Sequence, residues 1–156
     1  MNNYPFDPFC DENSEILILG SYPGPNSRNE GFYYADKRNQ FWRLLSEIYN
    51  ETIPESREEK ESFLKRHHIA LWDVCKEADV TNANDNSLIC NEKNEIKDLL
   101  EKCPNIKRIL CAGRKAERLF RKYNKNLEYK YIISSSGSAT KPYLEKKKQW
   151  EEAIAG

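Results

Sequence analysis

The chain has 156 residues, is 38% hydrophobic and balances 25 basic against 25 acidic side chains, which is the size and composition of one domain, 1–156, with one core. No run of 18 apolar residues occurs, which excludes a membrane-spanning helix, and MNNYPFDPFCDENSE at the N-terminus lacks the basic head and apolar middle of a secretory signal. A soluble, cytoplasmic protein with no membrane partner is expected.

The zero net charge conceals an asymmetry. Residues 106–156 hold thirteen Lys and Arg against five Asp and Glu, a net +8 that leaves −8 for residues 1–105. A basic C-terminal third is the footprint of a nucleic-acid surface or a set of plain solvated helix faces. Cys10, Cys75, Cys90, Cys103 and Cys111 include no CxxC pair, so reduced, mostly buried thiols are expected rather than a disulfide framework or a zinc site.

In chain order, residues 1–13 are irregular, with Pro5, Pro8, Asp11 and Asn13 and no periodicity. EILILG (15–20) is a short apolar run closed by glycine, the pattern of a strand buried on both faces. A long segment, GSYPGPNSRNEGFYYADKRNQFW (20–42), follows before QFWRLLSEIY (40–49) sets Phe41, Leu44, Leu45 and Ile48 at helical spacing. SREEKESFLKRHH predicts a second helix, with Ser56 as N-cap and Glu58 and Glu59 in the first turn. IALWDV (69–74) is the second strand, and the polar residues 75–92 read as a long loop. Then come a helix over 93–103, a strand over 106–113, a helix over 114–123, a strand over 128–135 and a last helix over 142–155 that starts at Pro142. Alternating strands and helices predict an α/β fold with about four parallel strands and helices on both faces. Ligands of such sheets sit outside the carboxyl ends of the strands. Three segments leave those ends: 20–39, 75–92 and 134–141.

SSSGSAT (134–140) offers hydroxyls and Gly137 ahead of a helix, which suits a phosphate or an ordinary Ser/Thr-rich helix start. GSYPG fits neither GxxxxGK[ST] nor GxGxxG, so nucleotide-phosphate motifs are not supported. Tyr33 and Tyr34, with Phe32, are suited to stacking on a planar base, or else cap the core. Asn39 offers an amide donor and a carbonyl acceptor, or is simply an N-cap. Asp73 at a strand end could orient a water or cap the next turn; for it and for His67 and His68 a structural role is preferred.

ILILGSYPG, YYADKRNQFW, LWDV, AGRKAERLF and SSSGSATKPYLEKKKQW, in this order over residues 15–152, resemble the uracil-DNA glycosylase superfamily, most closely its hypoxanthine-DNA glycosylase branch. The resemblance implies a three-layer α/β/α sandwich with a four-stranded parallel sheet. It also implies hydrolysis of the N-glycosidic bond of a deaminated base in DNA by a monofunctional enzyme acting as a monomer, without metal or organic cofactor. Such an enzyme extrudes the nucleotide and holds the base by stacking and edge contacts. The base departs as an anion from an oxocarbenium-like sugar, so donors aimed at its carbonyl oxygen and a positioned water are expected.

Carried onto this chain, Gly20, Ser21 and Tyr22 lie beside the sugar and base, Tyr34 falls where relatives stack on the base, and Asn39 is the expected catalytic residue. Mismatch-specific uracil glycosylases place a water-positioning asparagine at the position of Tyr22, which cannot copy an amide; the departure is typical of the hypoxanthine branch. Ser134, Ser135, Ser136, Gly137 and Ser138 resemble the motif that grips phosphates and fills the vacated gap, where Ser138 is a small wedge and Lys141 or Tyr143 a substitute plug. Lys141 and Lys146 to Lys148 are expected to contact the DNA backbone. A uracil or mismatch glycosylase and a catalytically inactive nucleic-acid-binding relative are the alternatives, with a small-molecule-binding α/β protein further off.

Overall fold

The computed structural model describes residues 3–80, 88–137 and 141–156. Its elements, in chain order, are β1 (Ile16–Gly20), α1 (Pro25–Glu30), α2 (Phe41–Ile48), α3 (Arg57–Arg66), β2 (Ile69–Asp73), β3 (Cys75–Val80), β4 (Leu88–Lys93), α4 (Ile96–Lys102), β5 (Arg108–Ala112), α5 (Arg114–Tyr123), β6 (Lys130–Ile132) and α6 (Tyr143–Ala155). The four predicted strands form one sheet of order β2-β1-β5-β6, with every pairing parallel.

The apolar runs alternate between two cores because successive strand residues face opposite sides of the sheet. Ile16, Ile18, Ile69, Leu71, Leu110 and Ile132 pack with Phe41, Leu44, Leu45, Phe63, Leu64 and Trp150 of α2, α3 and α6. Leu17, Leu19, Ala70, Ile109 and Cys111 meet Ile96, Leu99, Ala116 and Phe120 of α4 and α5 on the other face. The architecture is therefore three-layered, helix on sheet on helix. At α3, Ser56 accepts from the Glu59 N–H while the Glu59 carboxylate accepts from the Ser56 N–H, a reciprocal cap at the predicted position. No described helix is long and apolar enough to cross a membrane.

Three expectations change. The segment 20–42 contains a short helix, α1, which begins at Pro25 and ends at Gly31 in the left-handed region, φ 78°. Within 75–92, read as a loop, β3 and β4 pair antiparallel. Their sequences, CKEADV and LICNEK, escaped the apolar pattern because the hairpin is appended to the sheet's edge and packs little into either core. Residues 81–87 of that segment lie outside the described residues. The hairpin also overturns the expectation of five reduced thiols. Cys75 and Cys90, on facing strands with Cα atoms 5.8 Å apart, form a disulfide, while Cys10, Cys103 and Cys111 stay free. A hairpin brings together cysteines that no local motif pairs, and this separation lies within the usual disulfide range.

Candidate active site

The carboxyl ends of β1 and β2 are stitched together beyond the strands: the Val74 N–H donates to Gly20 O at 2.9 Å and the Cys75 N–H to Ser21 O at 2.9 Å. The parallel register sets Gly20 beside Asp73. A Cβ on Gly20 would lie 2.6 Å from Asp73 Oδ1 and 3.6 Å from the Tyr34 hydroxyl, so glycine is required for the carboxyl and phenol to converge there.

Asp73 is 6% exposed, and its Oδ2 is buried with no hydrogen-bond partner among the described residues. Burial pushes its carboxyl up to about 7, so near neutrality a proton sits on it as readily as not. Its own carbonyl is held by Asn94 Nδ2 at 2.8 Å, which fixes the strand end but leaves the carboxyl free. A structural role, preferred from sequence, does not account for an orphaned buried acid.

Tyr34 has φ 55°, unusual for an aromatic residue, and its ring lies parallel to Phe41 at 3.8 Å with 7° between planes. Phe41 covers one face, so a base can stack only on the other. Burial, reinforced by the nearby Asp73 charge, raises the Tyr34 phenol far above its ordinary range and keeps it a neutral donor. Phe32 and Tyr33, which shared the stacking expectation, are core residues, each 3% exposed, and the Tyr33 hydroxyl donates to Asp7 O. Tyr22 is half-buried against Phe6, with the Arg28 guanidinium 5.6 Å from its ring.

Asn39 is half-buried immediately before α2, and its Oδ1 accepts from the Phe41 N–H at 3.0 Å. The N-cap of α2 is Gln40, so the simpler reading of Asn39 as the N-cap does not hold; the Asn39 Nδ2 donates to no described residue. A continuous chain of contacts runs from Asn39 through Phe41 and Tyr34 to Gly20 and Asp73.

The loop after β6 docks on the segment carrying Asn39. The Gln40 N–H donates to Ser135 O at 2.8 Å, and a Cβ on Gly137 would lie 2.5 Å from Arg38 O. Ser135 is buried at 2% exposure, whereas Ser134 and Ser136 are half-buried, with the Ser136 N–H donating to Ser134 Oγ at 3.1 Å. Ser138 lies outside the described residues.

The four expected phosphate lysines divide. Lys141 and Lys148 are exposed, and Lys147 pairs with Glu47 at 3.5 Å. Lys146 is 1% exposed and donates to Gln40 Oε1 at 2.8 Å and Ser136 O at 3.2 Å, so it cannot reach a phosphate outside. The LEKKKQW run looks solvated throughout, yet Lys146, Trp150 and Ala153 recur at helical spacing on the inner face of α6. Tyr143 is also committed, bonded to Glu47 at 3.0 Å under the Arg43 guanidinium. Among the described residues no cluster of three His, Cys, Asp or Glu side chains is arranged to hold a metal ion. His67 stacks on Tyr49 at 3.7 Å and pairs with Glu51, a structural arrangement.

Residues 7–155 match the uracil DNA glycosylase superfamily. The chain belongs to that superfamily. A relative described as a hypoxanthine DNA glycosylase, from Methanosarcina barkeri, is 36% identical over 99% of both chains. Another so described, from Methanosarcina acetivorans, is 35% identical over 94% of both. A solution NMR structure of a provisional uracil DNA glycosylase from Methanosarcina acetivorans superimposes with a TM-score of 0.81 at 35% identity, covering 96% of this chain and 94% of that one. The superfamily chain described above is therefore a DNA glycosylase, a hydrolase of N-glycosyl bonds, with the α/β fold and four-stranded parallel sheet read from its sequence.

Two outcomes check the geometry. Because the folded Asp73 binds its proton more tightly than the unfolded chain does, its burial costs stability increasingly as pH rises from about 4 and levels off above about 7. Relative to wild type, Asp73→Asn should gain up to about 4 kcal/mol between pH 4 and pH 8 in urea unfolding; a difference independent of pH would show that the carboxyl is not held neutral. Gly137→Ala must push the backbone of Arg38, and with it Asn39, out of place. Excision should fall by about 100-fold with the chain still folded by circular dichroism.

Proposed function

We propose that this chain excises hypoxanthine from DNA, acting as a monomer on a nucleotide flipped into the pocket formed by Gly20, Ser21, Tyr34, Asn39 and Asp73. The observation that carries the reading is the buried Asp73 carboxyl, its Oδ2 without a hydrogen-bond partner among the described residues, converging with the Tyr34 hydroxyl on Gly20. The relatives described as hypoxanthine DNA glycosylases, aligned over nearly the whole chain, support the choice of base. All of these residues come from one chain, so no second copy is needed, and a DNA substrate is consistent with the expected cytoplasmic location.

Hypoxanthine presents a carbonyl oxygen beside a ring N–H. As the glycosidic bond lengthens, negative charge collects on that carbonyl. A neutral Asp73 donates its Oδ2–H to the oxygen, where a carboxylate would repel it. Tyr34 stacks on the base with the ring face that Phe41 leaves open, and the Phe41 stack holds it there before substrate arrives. Asn39 orients the attacking water: its Oδ1 is anchored by the Phe41 N–H but keeps a second lone pair, and its Nδ2 is an uncommitted donor. The amide that Tyr22 cannot supply is thus assigned to Asn39. Ser134, Ser136 and Gly137 grip the phosphates with Lys141 and Lys148, the exposed lysines at the mouth and along α6, while Ser135 supports the loop from within.

Duplexes carrying a single inosine, uracil or xanthine, treated with alkali after incubation, report excision as strand cleavage. Inosine should be cleaved fastest. Asn39→Ala should lower the single-turnover rate by 100-fold or more, on the order expected for a lost positioning group, with DNA binding retained. The wild-type rate should fall as pH rises through about 7, where Asp73 loses its proton, and Asp73→Asn should flatten that limb. Cleavage of uracil alone would transfer the assignment to the uracil branch; binding without cleavage of any substrate would make the chain an inactive relative. Separately, replacing Lys141 and Lys148 together should weaken binding to every duplex and reduce the slope of log K against log salt by about 2; an unchanged slope would remove both from the DNA footprint.

A further inference from the structure

We infer that Lys146 is a positioning residue for Asn39, clamping the catalytic segment and the phosphate loop into one rigid unit. The inference rests on the catalytic reading of Asn39 and concerns a side chain that touches neither base nor DNA. Lys146 is 1% exposed on the inner face of α6, yet its ammonium has no carboxylate within ion-pairing distance among the described residues. Its contacts are instead two neutral oxygens on two different segments: Gln40 Oε1 at 2.8 Å and Ser136 O at 3.2 Å.

Gln40 is the residue between Asn39 and Phe41, and its own N–H already donates to Ser135 O at 2.8 Å. The α2 N-terminus and the loop after β6 are therefore joined twice, once by backbone and once through Lys146. A buried charge satisfied only by dipoles costs folding free energy, and burial accordingly lowers the Lys146 pKa. An apolar side chain of equal length would fill the same space more favourably. What the ammonium adds is direction: two N–H donors aimed at the segments whose spacing sets where the Asn39 amide and the gripped phosphate stand relative to each other.

Lys146→Met separates this role from simple packing. The melting temperature is expected to hold or rise, while the single-turnover excision rate falls by about 10- to 100-fold, with duplex affinity and its salt slope unchanged. Gln40→Leu, which removes the acceptor, should reproduce the loss, and the double variant should lose no more than either alone. Amide exchange reads the clamp without substrate: in Lys146→Met the Gln40 N–H should lose protection while amides of β1 and β5 keep theirs. A rate loss accompanied by a lower melting temperature and general loss of protection would reduce Lys146 to a structural residue. An unchanged Gln40 exchange rate, or additive losses in the double variant, would overturn the inference. If the wild type fails to excise hypoxanthine, the substrate assignment falls, and the exchange measurement still decides on the clamp.

Discussion

The site depends on one register. β1 and β2 run parallel with Gly20 beside Asp73, and at that pair one strand contributes no side chain at all. The Asp73 carboxyl occupies the space a Cβ would need, buried, with its Oδ2 lacking a hydrogen-bond partner among the described residues. Shifting the register by one residue would turn Asp73 to the opposite face of the sheet and put Trp72 in its place. The apolar residues that drive the pairing, Ile16 to Leu19 against Ile69 to Leu71, thus also determine where a proton can be held.

The other half of the candidate site rests on contacts of a different kind. Tyr34, Asn39 and the loop after β6 belong to irregular segments, which in most proteins are mobile relative to the elements they join. Here each is anchored to something regular. Tyr34 lies flat on Phe41, Asn39 accepts from the Phe41 N–H at the start of α2, and Gln40 and Gly137 lock the two segments against each other, with Lys146 reaching up from α6. Catalytic positioning to a fraction of an ångström requires such support, since a loop free to drift would spend little time in the reactive arrangement.

How much of this was legible in the sequence follows from what each signal encodes. β1, β2, β5 and β6 and helices α2, α3, α5 and α6 stand where apolar periodicity and caps put them, because those patterns are the cause of burial. β3 and β4 carry charged and amide side chains on an appended hairpin, and no core pattern marks them. Asn39 and Tyr34 were put forward on motif resemblance, and the structure links them through Phe41. The burial of Asp73 was not legible, because a sequence does not say that an acid will be buried with nothing bonded to its Oδ2. Lys146 was misplaced for the converse reason: the three-lysine run resembles a solvated face, although its spacing to Trp150 and Ala153 already turned it inward.

At Asp73 and at Lys146 this fold accepts a cost that an ordinary core would avoid. Each is a buried ionisable group with no opposite charge bonded to it among the described residues; Asp73 lies against Gly20, and Lys146 against Gln40, the neighbour of Asn39. Pairing the two would have been cheaper, since a buried salt bridge offsets part of the desolvation of both partners. It would also have defeated both roles. A carboxyl facing an ammonium stays ionised and cannot donate a proton to a departing base, and an ammonium drawn to a carboxylate no longer holds Gln40 and the Ser136 carbonyl. In the proposed mechanism, keeping the acid at the end of β2 and the base on α6, each against neutral oxygens or none among the described residues, lets one remain a donor and the other a clamp.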